Sequence, residues 1–170
     1  MKHILALTGL FIAMFSLSSA NPVAVGSDAP PASALDHTGK VVNLADIYAA
    51  NEYTLVYFYP KADTPGCTAQ GCSLRDAYEK LTDMGVAVVG VSTDSVKSQA
   101  AFREKFSLPF TLIADTEKAV IKAFGVGTTF GFSSRQAYLI KGGKVIYADY
   151  KGSTKNQADD VLGFLAQAAK

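Results

Sequence analysis

Histidine and cysteine, the side chains most often used to bind metals, are scarce in this sequence. There are 2 histidines and 2 cysteines among 170 residues. His3 lies in an apolar N-terminal segment, which leaves His37 in the turn-like stretch Asp36-His37-Thr38-Gly39. A lone histidine in a turn supports neither a metal site nor histidine-based hydrolysis. We therefore expect His37 at the surface, and we expect no metal ligands and no cofactor.

An excess of charge of either sign is also lacking. The chain has 16 Lys and Arg against 15 Asp and Glu, a formal net charge of +1. Without Lys2, which belongs to the N-terminal segment, the basic count becomes 16 − 1 = 15 and the charges balance. Partners that bind through charge, such as nucleic acids and anionic surfaces, are therefore not indicated.

The N-terminal segment has the pattern of a secretory signal peptide. Lys2 gives it a basic start, residues 4–17 are mostly apolar, and Ser18-Ser19-Ala20 offers small residues for cleavage. The apolar run is short for a membrane span, so a retained anchor is the weaker alternative, and no cysteine nearby suggests a lipoprotein. We expect a signal peptide at 1–20, one domain at 21–170, export to the periplasm and no stable membrane association after cleavage.

Apolar patterns in the rest of the chain alternate between strand and helix. The apolar run 86–91 indicates a strand covered on both faces, as in parallel sheets. Apolar residues at i, i+3, i+4 and i+7 from Leu74 indicate an amphipathic helix. The predicted strands are 40–44, 54–59, 86–91, 110–113, 136–140 and 145–150, and the predicted helices are 65–83, 95–106, 117–124 and 156–169. This order predicts an α/β domain, a three-layer sandwich with a mixed central sheet, compatible with a thioredoxin-like fold.

The two cysteines, Cys67 and Cys72, lie close together in one short segment. In an exported protein the default interpretation is a structural disulfide. A loop that short restricts the unfolded chain little, so such a disulfide would stabilise the fold only weakly. A second alternative, a thiol–disulfide oxidoreductase, would ordinarily carry Cys-x-x-Cys.

The position of Cys67 suits nucleophilic chemistry. Thr64 or Asp63 can cap the helix that follows the strand 54–59, and Pro65 suits the first helical position. Cys67 then falls in the first turn, where unpaired N–H groups and the helix dipole favour a thiolate. Thr64 can place its hydroxyl beside the sulfur, or it can act as the N-cap alone.

An arginine beside the sulfur would complete a pocket for a negatively charged transition state. Arg103 lies in a charged stretch that is typical of a solvated helix face, and Arg75-Asp76 is as readily a solvated pair. Arg135 immediately precedes the predicted strand 136–140, so its guanidinium can point from the start of that strand toward the helix terminus. A surface or capping role for Arg135 is the alternative.

The segment around Cys67 resembles the active site of a known protein family. Pro60-x-x-x-Thr64-x-x-Cys67 matches the active-site motif of peroxiredoxins, and the stretch from Phe58 to Cys72 resembles their bacterioferritin-comigratory, or Q-type, subfamily. Further matching segments are 90–95, 102–110, 123–126 and 135–140. The resemblance implies a thiol-dependent peroxidase that reduces hydrogen peroxide and organic hydroperoxides, with electrons from a thioredoxin-like thiol reductant.

The resemblance also implies a role for each site residue. Cys67 is the peroxidatic cysteine, Cys72 is the resolving cysteine that forms an intramolecular disulfide, and Pro60, Thr64 and Arg135 are pocket residues. The chain departs from the family in two respects. Gln70 stands where many relatives carry Glu, and the leader indicates export whereas most Q-type proteins are cytosolic, which leaves the reductant open.

The spacing of the two cysteines predicts a conformational change. Five residues of α-helix rise about 7.5 Å and turn about 140°, which separates the two Cα atoms by roughly 8–9 Å. A disulfide needs them within about 7 Å. If both are helical in the reduced protein, the first turns must unwind before the bond forms. Gly71 would ease this because glycine weakens a helix, or it can instead permit close packing.

Overall fold

The computed structural model describes residues 21–168. The strands are β1 (Ser33–Asp36), β2 (Val41–Asn43), β3 (Tyr53–Phe58), β4 (Val86–Ser92), β5 (Thr111–Ala114), β6 (Thr128–Thr129), β7 (Phe132–Ser133), β8 (Gln136–Lys141) and β9 (Lys144–Asp149). The helices are α1 (Leu44–Ala50), α2 (Pro65–Asp76), α3 (Tyr78–Asp83), α4 (Val96–Lys105), α5 (Ala119–Ala123) and α6 (Gln157–Ala168). None of these helices has the length and apolar character needed to cross a membrane.

Seven strands form one mixed sheet in the order β2-β1-β5-β4-β3-β8-β9. The inner strands β3, β4 and β5 run parallel, and β8 pairs with β3 in the antiparallel direction. The register sets Phe58, the last residue of β3, opposite Gln136, the first residue of β8. The chain segments that leave β3 and enter β8 therefore meet at one edge of the sheet.

Alternate residues of the central strands contribute to two separate hydrophobic cores, because successive side chains of a strand point to opposite faces of the sheet. Leu55 and Tyr57 pack with residues from α2, α3, α4 and α6, whereas Val56 and Phe58 pack with residues from α1 and α5. This arrangement is the three-layer α/β sandwich with a mixed sheet that the sequence predicts. Cys67 belongs to the first of these cores.

Several elements differ from the sequence-based expectation. The predicted helix 65–83 is divided at Ala77 into α2 and α3. The short strand β1, the helix α1 and the hairpin β6–β7 were not predicted. These are short elements whose residues are in part exposed, so they lack the long apolar period that identifies an element from sequence. The predicted signal peptide lies outside the described residues.

Candidate active site

Cys67 is the third residue of α2, as expected for a residue in the first turn. The helix begins at Pro65, which needs no hydrogen-bonded N–H at this position. The residue is only 2% exposed. The sulfur therefore lies at the positive end of the helix dipole, in a largely desolvated position where electrostatic interactions are strong.

Thr64 occupies the N-cap position through its extended backbone, but its side chain does not cap the helix. Its hydroxyl donates to the carbonyl of Lys61 at 2.9 Å instead. Asp63, the alternative cap, adopts a left-handed φ of 58° and pairs with Lys105 at 2.7 Å. The predicted side-chain cap is thus wrong, because both groups are taken by other partners. No capping side chain in the described chain competes for the N–H groups of the first turn.

The loop between β3 and α2 is held from outside itself. Asp94 accepts a hydrogen bond from the N–H of Ala62 and another from the Ser92 hydroxyl, both at 2.7 Å. Ser133, in the β6–β7 hairpin, donates to the carbonyl of Tyr59 at 2.7 Å. The half-buried Pro60 follows directly after this anchored tyrosine. The loop that presents Thr64 and Cys67 is therefore fixed to β4 and to the segment that leads into Arg135.

Arg135 contacts both Cys67 and Gln70. Its Nη2 donates to the Cys67 sulfur at 3.3 Å, and its Nη1 donates to Gln70 Oε1. Within residues 21–168, Arg135 forms no salt bridge to a carboxylate. Because Gln70 is neutral, it orients the guanidinium without cancelling its charge. The departure from Glu at this position leaves the positive charge to the sulfur.

Two glycines enclose the Arg135 side chain. A Cβ added at Gly66 would lie 3.2 Å from Arg135 Nη2, and one added at Gly152 would overlap Arg135 Cγ. Gly152 also has a left-handed φ of 62°. The Asp149 carboxylate accepts from the N–H groups of residues 151, 152 and 153 and so fixes this turn. The backbone approaches Arg135 more closely than any other residue type would allow.

Cys72 has a different environment on the same helix. It is partly exposed, and both cysteines are free thiols. Arg75 pairs with Asp76 at 2.7 Å and donates to the carbonyl of Phe106 at 2.9 Å. The Asp76 hydrogen bond raises the pKa of Arg75 above its ordinary value, and the nearby Cys72 adds a smaller contribution. The expected solvated pair is present, and Arg75 also reaches the backbone at the C-terminal end of α4.

Two other sequence-based expectations need correction. Arg103 donates to the carbonyl of Phe110 at 3.1 Å, so it is not simply a residue of a solvated face. His37 is partly buried, and its Nδ1 accepts from the N–H of Leu112 at 3.3 Å. In both cases a backbone group in β5 or directly before it supplies the partner, which the local sequence does not reveal.

Neutral aromatic side chains lie under the site. Tyr57 and Tyr59 are fully buried and stack with ring centroids 5.5 Å apart, in the same core as Cys67. Burial raises the pKa of both phenols well above the usual range. They therefore remain protonated and add no negative charge that would compete with a thiolate.

Gln70 and Gln157 are polar residues of the site that the sequence analysis did not identify as functional. Both are fully buried, and Gln70 Nε2 donates to Gln157 Oε1 at 2.9 Å. Gln70 lies three residues after Cys67, so the helical period could have indicated its position beside the cysteine. Gln157 comes from α6, and no local signal connects it to the site.

Known proteins resemble this chain in sequence and in fold. The family model described as AhpC/TSA matches residues 25–148. Peroxiredoxin Bcp of Escherichia coli K12 is 42% identical over 159 residues, which covers 88% of this chain and 99% of that protein. The chloroplastic peroxiredoxin Q of Sedum lineare is 41% identical over 147 residues, covering 84% of this chain and 78% of that protein.

Solved structures show the same likeness. The crystal structure of peroxidoxin BcpB from Mycobacterium tuberculosis superposes with a TM-score of 0.78 at 29% identity, covering 84% of this chain and 96% of that one. A structure of Xanthomonas campestris peroxiredoxin Q gives a TM-score of 0.75 at 29% identity, covering 87% of this chain and 98% of that one. The resemblance therefore includes the arrangement of the sheet and helices around the site.

Proposed function

The chain belongs to the AhpC/TSA family, in its Bcp and peroxiredoxin Q branch, and is a thiol peroxidase, and we propose how its two cysteines share the reaction. Cys67 is the peroxidatic nucleophile and Cys72 is the resolving thiol. One observation carries the assignment of Cys67: Arg135 Nη2 donates to its sulfur at 3.3 Å. A buried thiol beside an unpaired guanidinium, in the first turn of a helix, is activated for attack.

In the first step the Cys67 thiolate attacks one oxygen of hydrogen peroxide or an organic hydroperoxide. The S–O bond forms as the O–O bond breaks, and the leaving oxygen takes up a proton to depart as water or an alcohol. Sulfur is oxidised to the sulfenic acid and the peroxide is reduced. Negative charge develops on the leaving oxygen, so donors held in place beforehand lower the barrier.

We assign a role in this chemistry to each group of the predicted pocket. Arg135 and the N–H groups of the first turn of α2 donate toward the reacting oxygens. The Thr64 hydroxyl has its proton committed to the carbonyl of Lys61, so its oxygen is free to accept from the hydroperoxide O–H. Pro60, which has no N–H, is assigned to the pocket from the family motif and lies two residues after the end of β3.

In the second step the Cys72 thiol attacks the sulfenic sulfur, which releases water and forms the intramolecular disulfide. Both residues lie within α2, so their Cα atoms are roughly 8–9 Å apart, beyond the reach of a disulfide. The segment from Pro65 to about Arg75 must therefore unwind. A thioredoxin-like dithiol then reduces the disulfide, is itself oxidised to a disulfide, and restores both cysteines.

Stopped-flow mixing of the reduced protein with hydrogen peroxide tests these roles. We expect rapid disulfide formation in the native protein, no fast phase in Cys67→Ser, and accumulation of sulfenic acid in Cys72→Ser. A native reaction no faster than that of a free thiol would contradict the proposal and favour a structural disulfide. Insulin reduction without a fast peroxide reaction would favour the oxidoreductase alternative.

We also propose that the protein acts after export, in the periplasm, with an exported thiol as its reductant. The basic start, apolar run and small residues of the leader support this proposal. Fractionation followed by N-terminal sequencing tests it directly. A periplasmic chain that begins at Asn21 is the expected result, and an uncleaved chain found in the cytoplasm would contradict it.

A further inference from the structure

A chain of two buried amides extends from Arg135 to the first residue of α6. Arg135 Nη1 donates to Gln70 Oε1, and Gln70 Nε2 donates to Gln157 Oε1 at 2.9 Å. Gln70 and Gln157 are 87 positions apart in the sequence and are both fully buried. The reacting pocket is thus connected through hydrogen bonds to the start of α6.

The orientation of both amides follows from the chemistry of arginine. A guanidinium can only donate hydrogen bonds, so Gln70 must present its oxygen to Arg135. Its NH₂ group then faces Gln157, which must present an oxygen in turn. If Gln157 did not supply an acceptor, Gln70 would gain by rotating its amide, and its NH₂ group would then face the guanidinium.

This orientation leaves a polar group of Gln157 without a partner. Its Nε2 is buried and makes no hydrogen bond within the described part of the chain. A buried donor without an acceptor lowers stability, and a pair of apolar side chains at positions 70 and 157 would avoid that cost. An interaction kept at the expense of stability indicates a functional requirement rather than a packing one.

We propose that Gln157 is a positioning residue for the peroxidase reaction. It fixes the amide of Gln70 so that Gln70 holds Arg135 against the Cys67 sulfur. This inference rests on the proposed roles of Cys67 and Arg135, and it adds the requirement that a residue of α6 sets their geometry. Gln157 itself contacts neither the sulfur nor the substrate.

Replacement by methionine separates positioning from packing, because methionine has nearly the length and flexibility of glutamine but is only a weak acceptor. We expect Gln157→Met to lower the second-order rate constant with hydrogen peroxide about five- to tenfold, the size of one weakened charge-assisted contact. Its melting temperature should change little, because the unpaired Gln157 donor is removed while the Gln70 donor loses its acceptor. The alkylation of Cys67 by iodoacetamide at a fixed pH should also be slower, which gives a readout of the sulfur that does not involve peroxide.

Two further variants isolate the path of the effect. Gln157→Met should have no additional effect in a Gln70→Met background, because the two residues act in series. Ser73→Ala is the matched control, because it removes the other hydrogen bond between α2 and α6, from the N–H of Ala158 to Ser73 Oγ at 3.0 Å. It should leave the peroxide rate within about twofold of the native rate, because that bond lies outside the amide chain.

The outcomes distinguish this inference from the function on which it rests. A fast native reaction with an equally fast Gln157→Met variant would overturn the inference alone. An equally large loss in both genetic backgrounds would show that Gln157 acts independently of Gln70 and would also overturn it. A slow native reaction would overturn the proposed function, and the inference with it.

Discussion

The two cysteines of α2, one in its first turn and one in its second half, each lie near an arginine, but the two arginines differ in their partners. Arg135, beside Cys67, has a neutral amide and a sulfur as its contacts. Arg75, near Cys72, is paired with Asp76 at 2.7 Å. Cys67 is also buried, whereas Cys72 is partly exposed. From this difference we infer that the activation proposed for Cys67 depends on a cation without a competing counter-ion, and not on proximity to arginine alone.

Replacing each arginine by methionine tests this contrast most strongly. We expect Arg135→Met to slow the reaction with hydrogen peroxide by about 10²-fold, as for the loss of a preorganised donor. Arg75→Met, the matched control, should leave this first step within about twofold, because its charge is already paired. Single-turnover stopped-flow measurements check both values. Equal losses of peroxide reactivity in the two variants would remove the distinction between the environments of Cys67 and Cys72.

Gly152→Ala should produce the next largest effect, because it displaces Arg135 without removing it. The new Cβ would overlap Arg135 Cγ, and the left-handed φ of 62° adds backbone strain. We expect a roughly tenfold slower peroxide reaction and a loss of about 1–3 kcal/mol in the free energy of unfolding. Rate measurements and denaturant titration provide the two values.

Gly142→Ala is the control for the strain. Gly142 also has a left-handed φ, of 55°, but a Cβ there would meet nothing within 4 Å. This variant should lose stability and retain the native peroxide rate. If it reacted as slowly as Gly152→Ala, the loss would arise from general destabilisation rather than from the displaced guanidinium.

Gly71→Ala tests the formation of the disulfide between Cys67 and Cys72. A Cβ at Gly71 would lie 3.4 Å from Leu108 Cδ1, an ordinary contact, so alanine fits the reduced helix. Alanine stabilises a helix interior by roughly 1 kcal/mol, so disulfide formation should slow about fivefold if α2 must unwind. The rate of sulfenic acid formation should not change. Stopped-flow fluorescence separates the two phases.

Gly163→Ala, in α6, provides the comparison for Gly71→Ala, because Gly163 is also a glycine inside a helix and a Cβ there would meet nothing within 4 Å. It should stabilise the protein without slowing disulfide formation. A slower second phase in both variants would indicate that overall stability, rather than local unwinding of α2, controls the rate.

The smallest expected effect concerns acid stability away from α2. Burial lowers the pKa of His37, and the charge of Arg103 lowers it further. A pKa below the unfolded value of about 6.5 means that the unfolded chain binds more protons as the pH falls, so stability is lost below that pH. His37→Asn keeps an acceptor for the N–H of Leu112 but cannot titrate. Its melting temperature should fall less between pH 7 and pH 5, with peroxide reactivity unchanged.

Long apolar runs allowed most of the fold to be predicted from the sequence. β3, β4 and β8 are hydrophobic along their length because they are buried on both faces. Pro65 marked the start of α2 correctly. β1 and α1 escaped prediction because their apolar patterns are too short to identify.

The candidate active site could be predicted only in part from the sequence, for a different reason. Cys67 and the loop before it lie close together in the sequence and could be identified from it. The hydrogen bonds of Thr64 and Gln157 depend instead on which groups the fold brings near them. Thr64 turned to the carbonyl of Lys61 instead of capping α2. Gln157 reaches Gln70 only because α6 packs on α2. Such pairings are decided by tertiary packing, which carries no signal in either segment alone.

Hydrogen–deuterium exchange across residues 65–75, compared between the reduced protein and its disulfide form, tests the central claim most directly. We expect strong protection of this segment in the reduced protein, where it is helical, and loss of that protection after oxidation. Protection in β4 should be the same in both states. Equal protection of residues 65–75 in the two redox states would contradict the account, because Cys67 and Cys72 could then join without unwinding α2.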